Sequence, residues 1–167
     1  MSRTHLSALP LFAEEIGRRG WHTKDTVLVS PDMGGIRRIK ILSDLLGGMP
    51  FAAIEKDRDL ASGRVEALGI DGEVGRRAII VDDMISSGYT MVKAAELLRE
   101  KGVEEIYVFA THGVFSAEAP RLLQDSLISE VYVTDTVYIP MDKYFSKLTV
   151  LTVADVVAKT IKEKMPR

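Results

Sequence analysis

A chain of 167 residues, 46% of them hydrophobic and 28% charged, has the length and composition of one globular domain. Its formal net charge of -2 gives no general attraction for nucleic acid or anionic membranes, so any phosphate binding must depend on local groups. The absence of cysteine excludes disulfides, thiolate nucleophiles and thiolate metal ligands.

The N-terminal segment and the apolar runs argue against export and membrane insertion. Glu14 and Glu15 interrupt the N-terminal segment, which has no continuous apolar core of signal-peptide length. No apolar run approaches the roughly 18 residues that a membrane span needs. We therefore expect a cytoplasmic protein without nucleic-acid or membrane partners.

Helix-like and strand-like segments alternate along the chain, beginning with a helical pattern over 9–20 that ends at a glycine. A strand is predicted over 26–32 and a helix over 36–48. The apolar residues of that helix mostly share one predicted face; they are Ile36, Ile39, Ile41, Leu42, Leu45 and Leu46. A second strand is predicted over 50–56. Residues 57–76 are polar, rich in glycine and non-periodic, which is typical of a long mobile loop or a small hairpin.

The second half of the chain continues the alternation. Its predicted elements are a strand over 77–83, a helix over 90–102, a strand over 105–113, a helix over 116–126, a strand over 130–136, a connection over 138–147, a strand over 148–153 and a helix over 154–165. Five or six apolar strands between helices predict an α/β fold, with a mostly parallel central sheet flanked by helices on both faces. No internal repeat or linker is visible, so we expect a single domain over 1–167.

Four loops are candidates for a binding site, because ligands of such sheets bind outside the carboxyl ends of the strands. These loops follow Val29, Ile54, Val81 and Ala110, and their sequences are SPDMGG, EKDRD, DDMISSGYT and THGVFS. The chemistry-bearing residues therefore gather at one edge of the predicted sheet.

The segment DDMISSGYT places Asp82 and Asp83 at a strand end and small residues at the start of the next helix. Bare backbone N–H groups at a helix N-terminus, with hydroxyls beside them, form a site for a phosphate dianion, and Gly88 permits a close approach. The carboxylates can accept hydrogen bonds from vicinal sugar hydroxyls, directly or through a hydrated divalent cation. A phosphorylated sugar would use both groups, the amides and hydroxyls for its phosphate and the carboxylates for its hydroxyls. The alternative is that Ser86 or Ser87 only caps the helix, and that the acids are a solvated strand end.

Residues 78–90 also resemble a known motif. Four apolar residues, two acids, two apolar residues, small residues and a threonine are similar to the phosphoribosyl-diphosphate (PRPP) binding motif of type I phosphoribosyltransferase-fold proteins. Within that superfamily the chain is more similar to the ribose-phosphate pyrophosphokinase (PRPP synthetase) family. The matching segments are VSPDMGGIRR over 29–38, EKDR over 55–58, THGVFS over 111–116, VTDT over 133–136 and LTVLTVADVVAKTI over 148–161. The resemblance covers nearly all of the chain but only the C-terminal half of that enzyme.

The resemblance implies a role for each matching position. Asp82 and Asp83 would hold the ribose hydroxyls. The 5-phosphate loop would consist of Ser86, Ser87, Gly88, Tyr89 and Thr90, and the diphosphate loop would contain Asp32, Met33, Gly34, Gly35 and Arg38. Asp32 would ligate Mg²⁺, a hard cation suited to carboxylate and phosphate oxygens. Lys56 and Arg58, from a flexible catalytic loop, would stabilise transition-state charge.

Several of these residues also have ordinary interpretations. Asp32 lies in a segment whose Pro and Gly are typical of a turn. Lys56 and Arg58 alone resemble a solvated charged loop. Arg38 would reach a phosphate or face water. We expect His112, at a predicted strand end, to be a hydrogen-bonded structural residue and not a base.

The chain departs from the family pattern in two ways. The family commonly has Asp, Thr, a small residue, Gly and Thr at positions 86–90; Ser87 keeps the hydroxyl role of Thr, whereas Tyr89 is bulky for a loop that wraps a phosphate. The family's N-terminal domain, which supplies much of the ATP site and a metal-binding histidine, has no counterpart in this sequence.

Three functions remain open. The first is a PRPP-synthetase-type protein that binds ribose 5-phosphate or PRPP with Mg²⁺ and transfers diphosphate from ATP to C1 of the sugar, releasing AMP. Half of the ATP site is missing, so we expect a homo-oligomer or a partner subunit to contribute. The second is a phosphoribosyltransferase that uses PRPP, and the third is a non-catalytic PRPP-binding regulatory subunit.

Overall fold

The computed structural model describes residues 5–58 and 65–164, with side chains for all of these except 56–58 and 65–68. The helices are α1 (Leu9–Arg18), α2 (Ile36–Leu45), α3 (Tyr89–Glu100), α4 (Ala119–Gln124) and α5 (Ala154–Lys164). The strands are β1 (Thr26–Ser30), β2 (Phe51–Arg58), β3 (Val65–Asp71), β4 (Arg77–Ile85), β5 (Glu105–Gly113), β6 (Glu130–Thr134) and β7 (Leu148–Leu151). Short 3₁₀ turns form at Met33–Gly35 and Met141–Lys143.

The strands form one sheet in the order β3-β2-β1-β4-β5-β6-β7. All neighbouring pairs are parallel except β2 and β3, which form an antiparallel hairpin. The predicted fold class is therefore confirmed: a mostly parallel sheet lies between helices. The described residues contain no helix that is both long and apolar enough to cross a membrane.

The apolar run at the start of β4 fills two separate cores, one on each face of the sheet. Ala78 and Ile80 pack with α3 residues such as Ala95, whereas Ile79 and Val81 pack with α1 and α2 residues such as Phe12. Successive side chains of a strand point to opposite faces, so a strand covered on both sides must be apolar at every position. This explains why the run is continuous and not alternating.

Among the element boundaries that differ from the prediction are those of β4, β2 and α4. Strand β4 continues to Ile85 because β5 extends beside it, pairing Met84 with His112. Residues 55–58 belong to β2 and not to a separate loop, since β3 pairs with them across an irregularity between Glu55 and Lys56. Of the two alternatives predicted for 57–76, the antiparallel pairing of β2 with β3 supports the hairpin, and residues 59–64 lie outside the described part of the chain. Helix α4 begins only at Ala119.

The predicted apolar face of α2 is wrong in part. The helix buries Ile39 and Leu42, but Ile41 and Leu45 are 46% and 49% exposed. At 3.6 residues per turn, Ile41 and Leu45 lie about 200° and 240° around the helix from the buried Ile39, so both point away from the core. The buried stripe of α2 is narrower than its apolar composition indicates.

Candidate functional site

The candidate site lies between β1 and β4, where the order in which the chain adds strands to the sheet reverses direction. From β1 the chain moves outward to β2 and β3, and then returns to place β4 on the other side of β1. The loops that leave β1 and β4 therefore diverge, and the space between them is the usual ligand crevice of an open α/β sheet. Asp32 follows β1 and Asp82 lies near the end of β4, so the fold brings these two acids to the same edge.

A pocket of about 200 Å³ occupies the end of β4 and the start of α3. It is lined by Asp82, Met84, Ile85, Ser86, Ser87, Gly88, Thr90 and Met91. Helix α3 starts at Tyr89, so the first backbone N–H groups of a twelve-residue helix open toward this turn. Amides and hydroxyls at such a position favour an anion, as the sequence predicts.

Neither serine occupies the N-cap position of α3, although the Tyr89 amide at the start of the helix donates a long hydrogen bond to the Ser87 hydroxyl. The N-cap position is taken by Gly88, which has no side chain, and the Ser87 hydroxyl is 3.5 Å from the Tyr89 amide. Gly88 has a φ of 77°, and a Cβ there would be 3.1 Å from the Leu123 side chain. A glycine is needed at this turn because both its conformation and its surroundings exclude a side chain.

Tyr89 does not obstruct the pocket. Its side chain is 58% exposed, it is not among the lining residues, and Lys93 Nζ lies 5.6 Å from the centre of its ring. The Tyr89 ring, which is bulky for a loop that wraps a phosphate, is directed outward along α3. The residues of the turn that line the pocket are its smaller ones, Ser86, Ser87, Gly88 and Thr90.

The segment after β5 holds the pocket turn in place. The amides of Val114 and Phe115 donate to the Ile85 carbonyl at 3.0 and 3.1 Å, and the Ser116 amide donates to the Ser86 carbonyl at 3.0 Å. The hydroxyls of Ser86 and Ser116 are 3.2 Å apart. We call residues 114–117 the strap. These bonds satisfy the carbonyls of Ile85 and Ser86 and restrain the turn that lines the pocket.

Two adjacent carboxylates at the end of β4 share one arginine. Arg38 Nη1 lies 2.7 Å from Asp82 Oδ1, and Arg38 Nη2 lies 3.3 Å from Asp83 Oδ2. The Asp83 amide also donates to Asp82 Oδ1 at 2.8 Å. In this structure Arg38 contacts both acids, a contact that the sequence does not indicate. Asp82 lines the pocket, whereas Asp83 is 58% exposed and lies beside it.

Burial raises the pKa of Asp82 above its ordinary value, and the negative charge of Asp83 acts in the same direction. The Asp83 amide and the Arg38 guanidinium oppose this rise. The carboxylate that lines the pocket is therefore less readily ionised than an ordinary aspartate. When it is ionised, it is a strong acceptor for a hydroxyl group.

The loop after β1 is compact and held by its own side chains. Asp32 Oδ1 accepts from the Gly35 amide at 3.2 Å, and the Ser30 hydroxyl donates to the Asp32 carbonyl at 2.6 Å. A Cβ on Gly35 would lie only 2.2 Å from Ser30 Oγ. Gly35 is thus required by packing inside the loop, whereas Gly34 is exposed at the surface of the same loop.

Asp32 suits a magnesium ion that is completed by a ligand. Within residues 5–58 and 65–164, no group of three or more acidic or histidine side chains is placed to hold a metal. Mg²⁺ is commonly bound by one or two carboxylates together with substrate phosphates and water, and the Asp32 carboxylate fits that pattern.

The two remaining predicted regions contribute differently. The backbones of Lys56 and Arg58 lie at the end of β2, and their side chains lie outside what the structure describes. His112 Nδ1 is 2.8 Å from the Thr136 hydroxyl, which also donates to the Thr111 carbonyl. The expected structural role of His112 therefore agrees with its contacts.

Sequence reasoning missed two features of the site. The ion pairs of Arg38 join residues 44 positions apart, and local patterns carry no signal for such a contact. From the sequence, most of the strap belongs to the segment THGVFS, and nothing in that segment indicates a role for it. Its Ser116 opposite Ser86 is visible only once β4 and β5 are known to be neighbours.

The sheet and the crevice define a protein of the phosphoribosyltransferase fold class. An orotate phosphoribosyltransferase from Aeropyrum pernix has a related fold, with 15% identity and a TM-score of 0.58 over 95% of this chain and 76% of that one. A purine phosphoribosyltransferase from Pyrococcus horikoshii Ot3 is similar at 20% identity and a TM-score of 0.52, covering 87% of this chain and 84% of that one. At these identities the likeness concerns the fold alone.

More specifically, the chain belongs to the phosphoribosyl synthetase-associated domain family, whose model matches residues 58–165. It is 40% identical to a ribose-phosphate pyrophosphokinase of Nostoc sp. over 94% of this chain and 47% of that protein. It is 37% identical to the chloroplastic ribose-phosphate pyrophosphokinase 1 of Arabidopsis thaliana over 94% of this chain and 39% of that protein.

Among solved structures, the chain is similar to the phosphoribosylpyrophosphate synthetase of Mycobacterium smegmatis. The TM-score is 0.82 and the identity 40%, over 93% of this chain and 49% of that one. The chain thus spans about half of the length of the relatives it matches, or less. The family resemblance predicted from the sequence is confirmed.

Proposed function

We propose that the chain is the sugar-phosphate-binding domain of a ribose-phosphate pyrophosphokinase, which takes ribose 5-phosphate or PRPP together with Mg²⁺. The observation that carries this proposal is the pocket in which the acid Asp82 meets the amide- and hydroxyl-rich turn at the start of α3. One wall suits sugar hydroxyls and the other suits a phosphate dianion. A ligand that is only a sugar or only a phosphate would use half of the site.

The full reaction would transfer the terminal diphosphate of ATP to the sugar. The C1 hydroxyl oxygen attacks the β-phosphorus, the bond from that phosphorus to the α-phosphate oxygen breaks, the hydroxyl proton is lost and AMP leaves. The residues of this chain would fix the sugar so that C1 faces the β-phosphorus, and Lys56 and Arg58 would stabilise the charge that develops on the transferring group. Asp32 would hold Mg²⁺, which neutralises diphosphate charge when bound.

We propose that catalysis needs a second copy of the chain or a partner subunit. The relatives reported above are about twice as long as the matched region or longer, and we infer that the remainder of their length contributes to the ATP side of the site. A mass measurement in solution, with and without nucleotide, tests this part of the proposal. The cytoplasmic location stays a prediction from composition, and some of the relatives are chloroplastic.

One assay separates the three candidate functions. Purified chain is incubated with ribose 5-phosphate, Mg-ATP and phosphate, and AMP and PRPP are measured. PRPP formation that Lys56→Ala abolishes supports the proposal. PRPP binding without turnover, combined with base-dependent release of diphosphate, would show a phosphoribosyltransferase. Ligand binding with no chemistry in either assay would show a regulatory subunit.

Binding of the sugar is tested separately by Asp83→Asn. We expect this change to weaken ribose 5-phosphate binding by about 1–3 kcal/mol, the range for losing hydrogen bonds to a charged group. Asp125→Asn removes an equally negative and 70% exposed carboxylate that pairs only with Arg121 among the described residues, and it should leave the affinity unchanged. Calorimetry measures both, and unchanged affinity in Asp83→Asn removes that residue from the ribose site.

A further inference from the structure

Arg38 connects the two sides of the crevice. It lies in the first turn of α2, directly after the loop that contains Asp32, and its guanidinium contacts both acids at the end of β4. The Arg38 and Asp82 side chains are 24% and 19% exposed, so most of this contact is shielded from water. A Cβ on Gly35 would lie 3.3 Å from Arg38 Nη1, which shows how closely the guanidinium packs on the loop.

The position of this arginine changes what the two carboxylates can bind. Adjacent carboxylates without a counter-ion repel each other and attract a hard divalent cation such as Mg²⁺. A guanidinium presents several N–H groups in a fixed plane and keeps its positive charge at every ordinary pH, so it permanently offsets one of the two negative charges. It contacts one oxygen of each acid, Asp82 Oδ1 and Asp83 Oδ2.

We propose that Arg38 is a positioning residue that serves as the built-in counter-ion of Asp82 and Asp83. It reserves their remaining acceptor capacity for uncharged hydroxyl groups and excludes a divalent cation from them. Magnesium is thereby directed to the Asp32 side of the crevice. The hydroxyls in question are those of the sugar, so this part rests on the proposed function, whereas the exclusion of cations does not.

The neighbouring Arg37 provides a matched control. It lies one position earlier in the same turn of α2 and is exposed, whereas Arg38 is directed at the acids. Replacing either arginine by methionine removes one positive charge from the same short segment. Any effect of overall charge is therefore common to both variants, and only the loss of the contact with Asp82 and Asp83 is specific to Arg38→Met.

The test measures Mg²⁺ binding to the full chain in the absence of nucleotide and sugar. We expect Arg38→Met to bind Mg²⁺ about fivefold more tightly than the wild type, a factor at the upper range for partly exposed ion pairs. The gain should disappear when Asp82→Asn is added, and Arg37→Met should show none. Arg38→Lys should lie between the wild type and Arg38→Met, because an ammonium cannot match two carboxylates as a planar fork does.

Two results would overturn the counter-ion role. One is unchanged Mg²⁺ affinity in a folded Arg38→Met chain, with folding checked by circular dichroism and with Arg38→Gln as a second variant. The other is a loss of Mg²⁺ affinity when Asp82→Asn is the only substitution and Arg38 is retained. That loss would show that the acids already act as metal ligands. Failure of the wild type to bind ribose 5-phosphate would contradict the proposed function but would leave the cation measurement interpretable.

Discussion

Asp82 and Asp83 are adjacent in sequence, yet their surroundings differ. The side chain of Asp82 is 19% exposed and lines the pocket, whereas that of Asp83 is 58% exposed. Burial raises the pKa of Asp82, and the opposing influence of Arg38 does not cancel this rise. The two adjacent acids therefore differ in their exposure to solvent, and the fold determines that Asp82 lines the pocket.

This difference predicts a pH dependence of stability. Because the pKa of Asp82 is raised above 3.8 in the folded state, the folded chain takes up a proton before the unfolded chain as the pH falls. The wild type should therefore gain stability relative to Asp82→Asn between the raised pKa and the ordinary value. Urea unfolding of both chains from pH 7 to pH 4 measures the difference. A relative loss of stability at low pH would mean that the ion pair with Arg38 outweighs burial.

Two adjacent glycines of the loop after β1 should respond differently to alanine. Gly35→Ala would place a Cβ 2.2 Å from Ser30 Oγ, so the bond from Ser30 to the Asp32 carbonyl must break. We expect a loss of about 1–3 kcal/mol in unfolding free energy, the usual cost of overpacking. Gly34→Ala meets only the Asp32 side chain at 3.2 Å and should change stability by less than about 0.5 kcal/mol. Equal losses in thermal or urea unfolding would contradict this packing argument.

At the scale of elements, the strap is more constrained than its loop-like sequence indicates. Phe115 is fully buried with a φ of 46°, and Ala117 has a φ of 48°. Left-handed conformations of residues other than glycine cost roughly 1–2 kcal/mol. The fold tolerates this cost where the strap must turn sharply to reach the carbonyls of Ile85 and Ser86.

Ala117 offers a direct measure of that strain. Ala117→Gly should raise the unfolding free energy by about 0.5–1 kcal/mol, because relief of the strained φ exceeds the added entropy of the unfolded chain. The same change at Ala158, an exposed position of α5, should lower it by about 1 kcal/mol, since glycine disfavours a helix interior. Urea unfolding distinguishes the two signs. Destabilisation by both variants would show that the strap does not store strain at Ala117.

Elements with strong patterns could be predicted from the sequence, and those that depend on pairing could not. The helices over 9–18 and 89–100 and the central strands follow from apolar periodicity and glycine stops. The hairpin partner of β2 lies within the polar, glycine-rich segment 57–76, which carries no strand signal as a whole, and it is identified as a strand by its pairing with β2. The contact of Arg38 with Asp82 could not be predicted for a similar reason. Arg38 has the spacing of a surface residue, and the order of the strands brings it close to β4.

At the scale of the whole molecule, burial is unevenly distributed. The central strands are covered on both faces by two apolar cores. By contrast, α5 has no buried residue in the structure, and all four residues of β7, at the edge of the sheet, are only partly buried. The site at β1 and β4 therefore rests on the most deeply packed part of the fold, which suits the precise placement of catalytic and binding groups.

This distribution predicts very different costs for two truncations of isoleucine. Ile80→Ala, at a fully buried position of β4, should lower the unfolding free energy by about 2–5 kcal/mol through lost transfer energy and a residual cavity. Ile161→Ala, at a side chain of α5 that is 52% exposed, should cost less than about 0.5 kcal/mol because little surface leaves water there on folding. Urea unfolding at several protein concentrations measures both. A large, concentration-dependent loss in Ile161→Ala would contradict the exposed state of α5 and show that its apolar side is covered in solution.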